Sequence, residues 1–449
     1  KHESLVEYIW YGNPMGVNTI YNEINELDAG SYAVVKDSKI RISKYFDIND
    51  IKEVRLGERE AIERINNLLH QSIKRHLISD VPVGVFLSGG IDSSAITALA
   101  SKYNEGAINT YSVSFDFSGG PNELKKAEKI AKRYGTHHNE MHISGGDIIP
   151  YIEALIDAHD SPFGDAADIP LYILTKQLKG SIKAVMQGDG GDELFGGYSI
   201  YNTMHNVKNW QLAQWLSGLI SLSCTRNYQA LRLQRFIDAI TEKNEALRNA
   251  KLLTTETRQT NPLRVFCEKL RKKLASHNPF KRYEEVYEAY AGNKSLVQKA
   301  FFTDTQIILK DTFLEKVDKA TMANSMEVRV PFLDKDLSEF ALSIPAETKV
   351  KRGKQKYLLK RALAGIVPEE ILYGKKTGFS VPYQYWLKKD LSGYFRDQIA
   401  TKRVGSIINK EEVWKLFQQH KQGKGNYGFL LWKTLILSVW LNKNDFEIN

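Results

Sequence analysis

The chain has 449 residues, 42% apolar and 26% charged, which excludes intrinsic disorder and supplies a large core, with length for more than one domain. No apolar run approaches the ~20 residues that span a bilayer, and the opening KHESLVEYIWYG lacks a signal-peptide layout, so the expectation is a cytoplasmic protein with no membrane association. The net charge of +9 fits anionic small-molecule substrates better than nucleic acid, because the densest basic run, Arg271 to Lys273 with Lys281 and Arg282, is short and poor in aromatics.

Residues 31–47, SYAVVKDSKIRISKYFD, read as a hairpin turning near Asp37-Ser38. A lone hairpin is marginal without a sheet to join, so residues 1–47 look like the end of a preceding unit. Apolar residues at Ile62, Ile65, Leu68, Leu69, Ile73 and Leu77 predict an amphipathic helix over 58–77.

The densest stretch follows, VPVGVFLSGGIDSSAITALAS from Val81 to Ser101. Val83 to Leu87 is an apolar run of the kind buried in a parallel sheet, and Ile91, Ala95, Ile96, Leu99 and Ala100 recur with helical spacing. Between them, Ser88-Gly89-Gly90 makes a turn whose backbone can approach a ligand closely. The first N–H groups of the helix and the hydroxyls of Ser88, Ser93 and Ser94 suit a phosphate there. Asp92 would repel that phosphate unless a divalent cation lay between them, which suggests magnesium. The stretch lacks the lysine of a G-x-x-x-x-G-K-[ST] loop and the third glycine of a dinucleotide fingerprint. SGGIDSS instead resembles the pyrophosphate loop of the ATP-pyrophosphatase families, which split ATP between its α and β phosphates.

A second strand is predicted over Ile108 to Phe115, then a Gly-Gly-Pro loop, a helix from Asn122 to Tyr134 and a third strand from His138 to Ile143. This alternation predicts a parallel sheet with right-handed crossovers. His137, His138 and His142 do not read as a metal site, because His137 points to the opposite strand face from the other two and no acidic partner is adjacent. Helices over 149–158 and 171–178 flank DSPFGDAADIP, and a strand over 182–187 leads into GDGGDELFGGY, Gly188 to Tyr198. That loop sets Asp189, Asp192 and Glu193 among five glycines at a strand end, a concentration of acid that calls for a cation or a positively charged substrate group. From Tyr201 onward the pattern is mostly helical. Cys224 and Cys267 fall there with no Cys or His at metal-ligand spacing, and Gly423 to Gly428, although it spells G-x-G-x-x-G, follows a helical run and reads as a loop.

SGGIDSS and GDGGDELFGGY, with Ser325 to Asp334, SMEVRVPFLD, and Lys375 to Pro382, KKTGFSVP, together resemble the glutamine-hydrolysing asparagine synthetase family in order and separation. The resemblance implies an α/β fold, an open parallel sheet flanked by helices with a helical C-terminal lobe. It divides the chain into residues 1–55, the end of an N-terminal glutaminase domain whose cysteine nucleophile this chain does not contain, and 56–449, the ATP-pyrophosphatase domain. It implies ATP and Mg2+, a small carboxylate substrate, and ammonia from solution or from glutamine, with a homodimer or a glutaminase segment as partner.

By the same resemblance, Leu87, Ser88, Gly89, Gly90, Asp92, Ser93, Ser94, Val113 and Gly188 hold ATP and its pyrophosphate, and Asp92 and Asp192 hold magnesium. Lys376 stabilises the transition states, and Asp189 deprotonates the incoming ammonium. As a paired acid and base, Glu327, Arg329 and Asp334 are expected to brace a helix end, with a phosphate contact as the alternative for Arg329. The reaction implied is amide formation through an acyl-adenylate, with L-aspartate as acceptor. The alternatives are amidation of a sugar acid or other carboxylate in cell-surface polysaccharide or secondary metabolism, and lactam or peptide cyclisation. Asp189 stands where asparagine synthetases often carry glutamate, which leaves the acceptor open.

Overall fold

The structure, a computed structural model, describes residues 1–116, 123–207, 228–257, 260–290, 294–351, 353–375 and 381–445. The chain opens with helix α1 (His2–Tyr11) and continues into a hairpin of β1 (Ser31–Lys36) and β2 (Lys39–Lys44). Asp37 and Ser38 both have positive φ at the turn, as a tight two-residue hairpin loop requires. The hairpin forms its own two-stranded sheet, with Val35, Ile40 and Ile42 exposed.

The nucleotide half begins with α2 (Glu58–Leu77), whose Ile65, Leu69 and Ile73 are buried on one face. Acids in its first turn and Lys74, Arg75 and His76 in its last complement the helix dipole. The chain then builds a parallel sheet from β3 (Val83–Phe86), β4 (Asn109–Phe115), β5 (His137–Ile143), β6 (Ala184–Met186) and β7 (Glu327–Arg329), in the order β5-β4-β3-β6-β7. Helices α3 (Ile91–Tyr103), α4 (Glu123–Tyr134), α5 (Ile149–His159) and α6 (Asp168–Leu178) come between these strands, and the short α7 (Gly191–Phe195) follows β6. β3 is buried along its whole length, as an apolar run at the centre of a parallel sheet should be. Among the described residues no helix is long and apolar enough to cross a membrane.

The described residues after Tyr201 are helical as expected, with the exception of β7. It extends the sheet from the middle of SMEVRVPFLD and pairs with β6 through Ala184↔Glu327 and Met186↔Arg329. One hydrophobic core lies around the sheet and α2, and a second joins α1, α5 and the last helix, Gly428–Lys443. α1 is locked to that helix by a buried polar knot. Tyr8 donates to the Lys433 carbonyl at 2.7 Å, and the fully buried Lys433 ammonium meets Glu256 Oε1 at 3.1 Å and the Trp10 carbonyl at 3.3 Å. The loop at Gly423 to Gly428 joins two helices, and Cys267 is a free thiol.

On β5, His138 Nδ1 pairs with Thr110 Oγ1 at 2.9 Å and His142 Nδ1 with Ser114 Oγ at 3.0 Å, so both rings serve strand pairing. Contrary to the sequence reading, an acid does stand beside them. Glu140 shares the face of His138 and comes within 3.5 Å of its ring, because alternate strand residues line one face. Among the described residues no three His, Cys, Asp or Glu side chains form a metal-binding group.

Candidate active site

β3 connects outward to β4 and β5 while β6 lies on its other side, so the chain reverses its winding direction between β3 and β6. A crevice opens at such a switch point beyond the carboxyl ends of the strands. The loops that follow β3 and β6 meet there, around a cleft of about 390 Å³, a volume suited to a nucleotide-sized ligand. Its lining includes Leu87, Ser88, Gly89, Gly90, Asp92, Ser93, Val113, Gly188, Asp189 and Asp192. Ser94 is fully buried and does not line the cleft, and Lys376 lies outside the described residues.

The turn before α3 is cross-braced by its own serines, with Ser88 Oγ 3.1 Å from Ser93 Oγ and the Ser88 N–H on Ser93 Oγ at 3.3 Å. This leaves the start of α3 as a turn of backbone donors. Asp92, in the first turn, reaches across to the acidic loop. The approach is so close that a Cβ at Gly191 would lie 2.5 Å from Asp92 Oδ1, and one at Gly197 would lie 1.6 Å from Asp192 Oδ1. These glycines make room for carboxylates.

The cation that this acid requires is Lys356, which the sequence reading did not single out. Its Nζ donates to Asp92 Oδ1 at 2.7 Å and stands 2.6 Å from Asp192 Oδ1. The residue caps the start of the short helix Tyr357–Ala362 in a left-handed conformation, and its own N–H is held by the Gly196 carbonyl at 3.1 Å. Burial opposes the charge of Lys356, but Asp192 and Asp92 outweigh it and raise the ammonium's pKa above the ordinary lysine range. The need for a cation was visible in the acid of the loop. Which of the chain's many lysines supplies it was not, because 264 residues separate Lys356 from Asp92.

Asp189 also lines the cleft, with a buried Oδ2 that has no hydrogen-bond partner among the described residues. Burial pushes its carboxyl up to about 6; Lys316 opposes that shift, and Asp92 and Asp192 add to it. Glu193 points behind the loop, where burial pushes it up to about 7 against the opposing hydrogen bond it accepts from the Tyr198 hydroxyl. Lys316, from the helix Glu315–Met322, is a second buried cation in the lining and was also missed; it donates to Asp165 Oδ2 at 3.0 Å.

Arg329 and Asp334 sit where bracing was expected. Arg329 donates to the carbonyls of His76 and Ile78 at 2.8 Å each, holding the end of α2, and pairs with Glu327 at 2.8 Å. Asp334 caps the helix Lys335–Ser343 and pairs with Arg75.

Asp92 and Asp192 offer hard carboxylate oxygens on one side of the cleft, a donor set that fits magnesium. These two residues would hold the ion, which would supply positive charge to screen phosphate.

The sheet order, crevice and pyrophosphate-type loop define an ATP-pyrophosphatase-like α/β fold with a helical C-terminal region. The Asparagine synthase family profile matches residues 64–442. "Asparagine synthetase [glutamine-hydrolyzing] 1" of Bacillus subtilis is 32% identical over 452 residues, covering 98% of this chain and 69% of the relative. A "Putative asparagine synthetase [glutamine-hydrolyzing]" of Mycobacterium tuberculosis is 29% identical, covering 98% and 66%. "Asparagine synthetase B [glutamine-hydrolyzing]" of Escherichia coli is 33% identical over 225 residues, covering 46% and 40%. The chain thus spans about two thirds of the length of the first two. It belongs to the asparagine synthase family, which places it among the carbon–nitrogen ligases.

Proposed function

We propose that this chain forms an amide at the expense of ATP, with L-aspartate as acceptor and asparagine, AMP and pyrophosphate as products. The observation that supports it most is Lys356 fixed between Asp92 and Asp192 beside the loop at the start of α3. In the first half-reaction a carboxylate oxygen of the acceptor attacks the α-phosphorus, the bond to the β-phosphate oxygen breaks and pyrophosphate leaves. Negative charge accumulates on the non-bridging oxygens, and Lys356 is the preorganised cation for it. Backbone around Ser88, Gly89 and Gly90, with the Ser93 hydroxyl, would hold the departing pyrophosphate. Asp92 and Asp192 would hold magnesium, which screens phosphate charge.

In the second half, ammonia adds to the acyl carbon and AMP leaves with one oxygen of the original carboxylate. Asp189 is the group to take the proton of the incoming ammonium, since burial pushes its carboxyl up to about 6 and so makes it a stronger base than an ordinary carboxylate. Lys376 is retained as a second cation for these states. It follows Lys375, whose carbonyl accepts from Lys126 at 3.2 Å at the edge of the cleft.

Residues 1–55 are proposed as the junction with a glutaminase segment, which makes glutamine the nitrogen source when that segment is present and free ammonia the source when it is not. The test is a screen of carboxylates for acceptor-dependent pyrophosphate release with ammonium, read by mass spectrometry for the amide. Aspartate should give asparagine. Tight ATP binding without pyrophosphate release from any acceptor would contradict the reading.

A further inference from the structure

We propose that Lys316 anchors a second carboxylate on the acceptor, one that is not consumed, and so makes the enzyme selective for an amino dicarboxylate. This rests on the ligase reading above. Among the described residues five lysines line the cleft, Lys126, Lys316, Lys356, Lys360 and Lys375, and of these only Lys316 and Lys356 are buried. Lys126 packs against the phosphate loop, where a Cβ added at Gly89 would lie 2.6 Å from its own Cβ, and Lys356 is bound to Asp92. Lys316 comes from the other wall, on the helix Glu315–Met322, which packs along α6. It is 7% exposed and belongs to the lining of the cleft.

An ammonium has three N–H donors, and the pair with Asp165 Oδ2 occupies one of them. Asp165 is itself fixed, because its Oδ1 accepts from the Ala167 N–H at 3.0 Å at the start of α6. Lys316 is therefore a cation aimed by its neighbour rather than a flexible surface charge. The carboxylate that reacts must reach the phosphorus beside Lys356 and loses its charge on becoming an amide. A cation on the opposite wall suits an anionic group that persists through the reaction, and for aspartate that group is the α-carboxylate.

The experiment compares L-aspartate with 3-aminopropanoate, which is aspartate without the α-carboxylate, by pyrophosphate release from the wild type and Lys316→Met. The wild type should prefer aspartate in kcat/KM by roughly 10- to 100-fold or more, the range for one charged hydrogen-bonded contact. Lys316→Met should collapse the preference, so that the ratio of kcat/KM for aspartate to that for 3-aminopropanoate falls to about one, because only aspartate loses a contact to its second carboxylate. Asp165→Asn, a milder change, should raise the KM for aspartate with little change in kcat and none for 3-aminopropanoate. Lys316→Arg should restore part of the preference. A wild type that uses both acceptors equally, or a Lys316→Met or Asp165→Asn variant whose two substrates fall in parallel, overturns the proposal. Absence of pyrophosphate release from the wild type with every carboxylate is a distinct result and overturns the ligase reading itself.

Discussion

Lys356 sits 2.7 Å from Asp92 and 2.6 Å from Asp192, so each of the three charges sets what the other two can do. Lys356→Met should lower pyrophosphate release by a factor of order 100 or more, the size of one preorganised contact to developing charge. Asp92→Asn and Asp192→Asn should abolish adenylation in folded protein, as judged by circular dichroism and ATP–pyrophosphate exchange. Near-normal exchange in any of the three would remove that residue from the mechanism. Asp189 carries a pH signature. Burial raises its pKa to about 6, above the unfolded value near 3.9, so the folded state binds the proton more tightly. The stability this proton confers is fully present below about pH 4 and is lost as pH rises through 6. Asp189→Asn should therefore raise the urea midpoint at pH 7, by the equivalent of about 1–3 kcal/mol, and leave it nearly unchanged at pH 4. At fixed ammonium, amide formation by the wild type should rise as pH passes through about 6, and this step should vanish in the variant.

The two loops were legible in the sequence because each carries its own chemistry within a dozen residues. So was α2, whose apolar face repeats through twenty residues over 58–77. β7 was not, since three residues give no period and its partner β6 lies about 140 positions away. Lys356 and Lys316 were not, because helical segments rich in lysine look alike until the fold chooses which ammonium meets which acid. The acidic loop also carries a steric prediction. Gly191 opens α7, where alanine suits the helix itself, yet its Cβ would lie 2.5 Å from Asp92 Oδ1. Gly191→Ala should displace Asp92 and cost pyrophosphate release of order 100-fold or more, with the melting temperature changed by only a few degrees. A fully active Gly191→Ala protein would mean that Asp92 has no fixed position to defend.

At the scale of the whole molecule, the sheet fixes where chemistry can occur and the helical part supplies the two buried cations of the cleft, Lys316 and Lys356. Asp92, Asp189 and Asp192 follow β3 and β6, whereas Lys316 and Lys356 arrive from the part of the chain that wraps the sheet. The N-terminal α1 is tied to the last helix through the bonds of Tyr8 and the Trp10 carbonyl to Lys433, while the β1–β2 hairpin keeps Val35 and Ile40 70% and 68% exposed. The central claim is that these parts together pass an acceptor carboxylate through an acyl-adenylate, and oxygen labelling tests it most directly. L-Aspartate carrying 18O in its side-chain carboxylate is turned over with ATP and ammonium, and the nucleotide product is analysed by mass spectrometry. The prediction is AMP bearing one 18O atom, with unlabelled pyrophosphate and asparagine that retains the other. Unlabelled AMP, or ADP and labelled inorganic phosphate in its place, would contradict it.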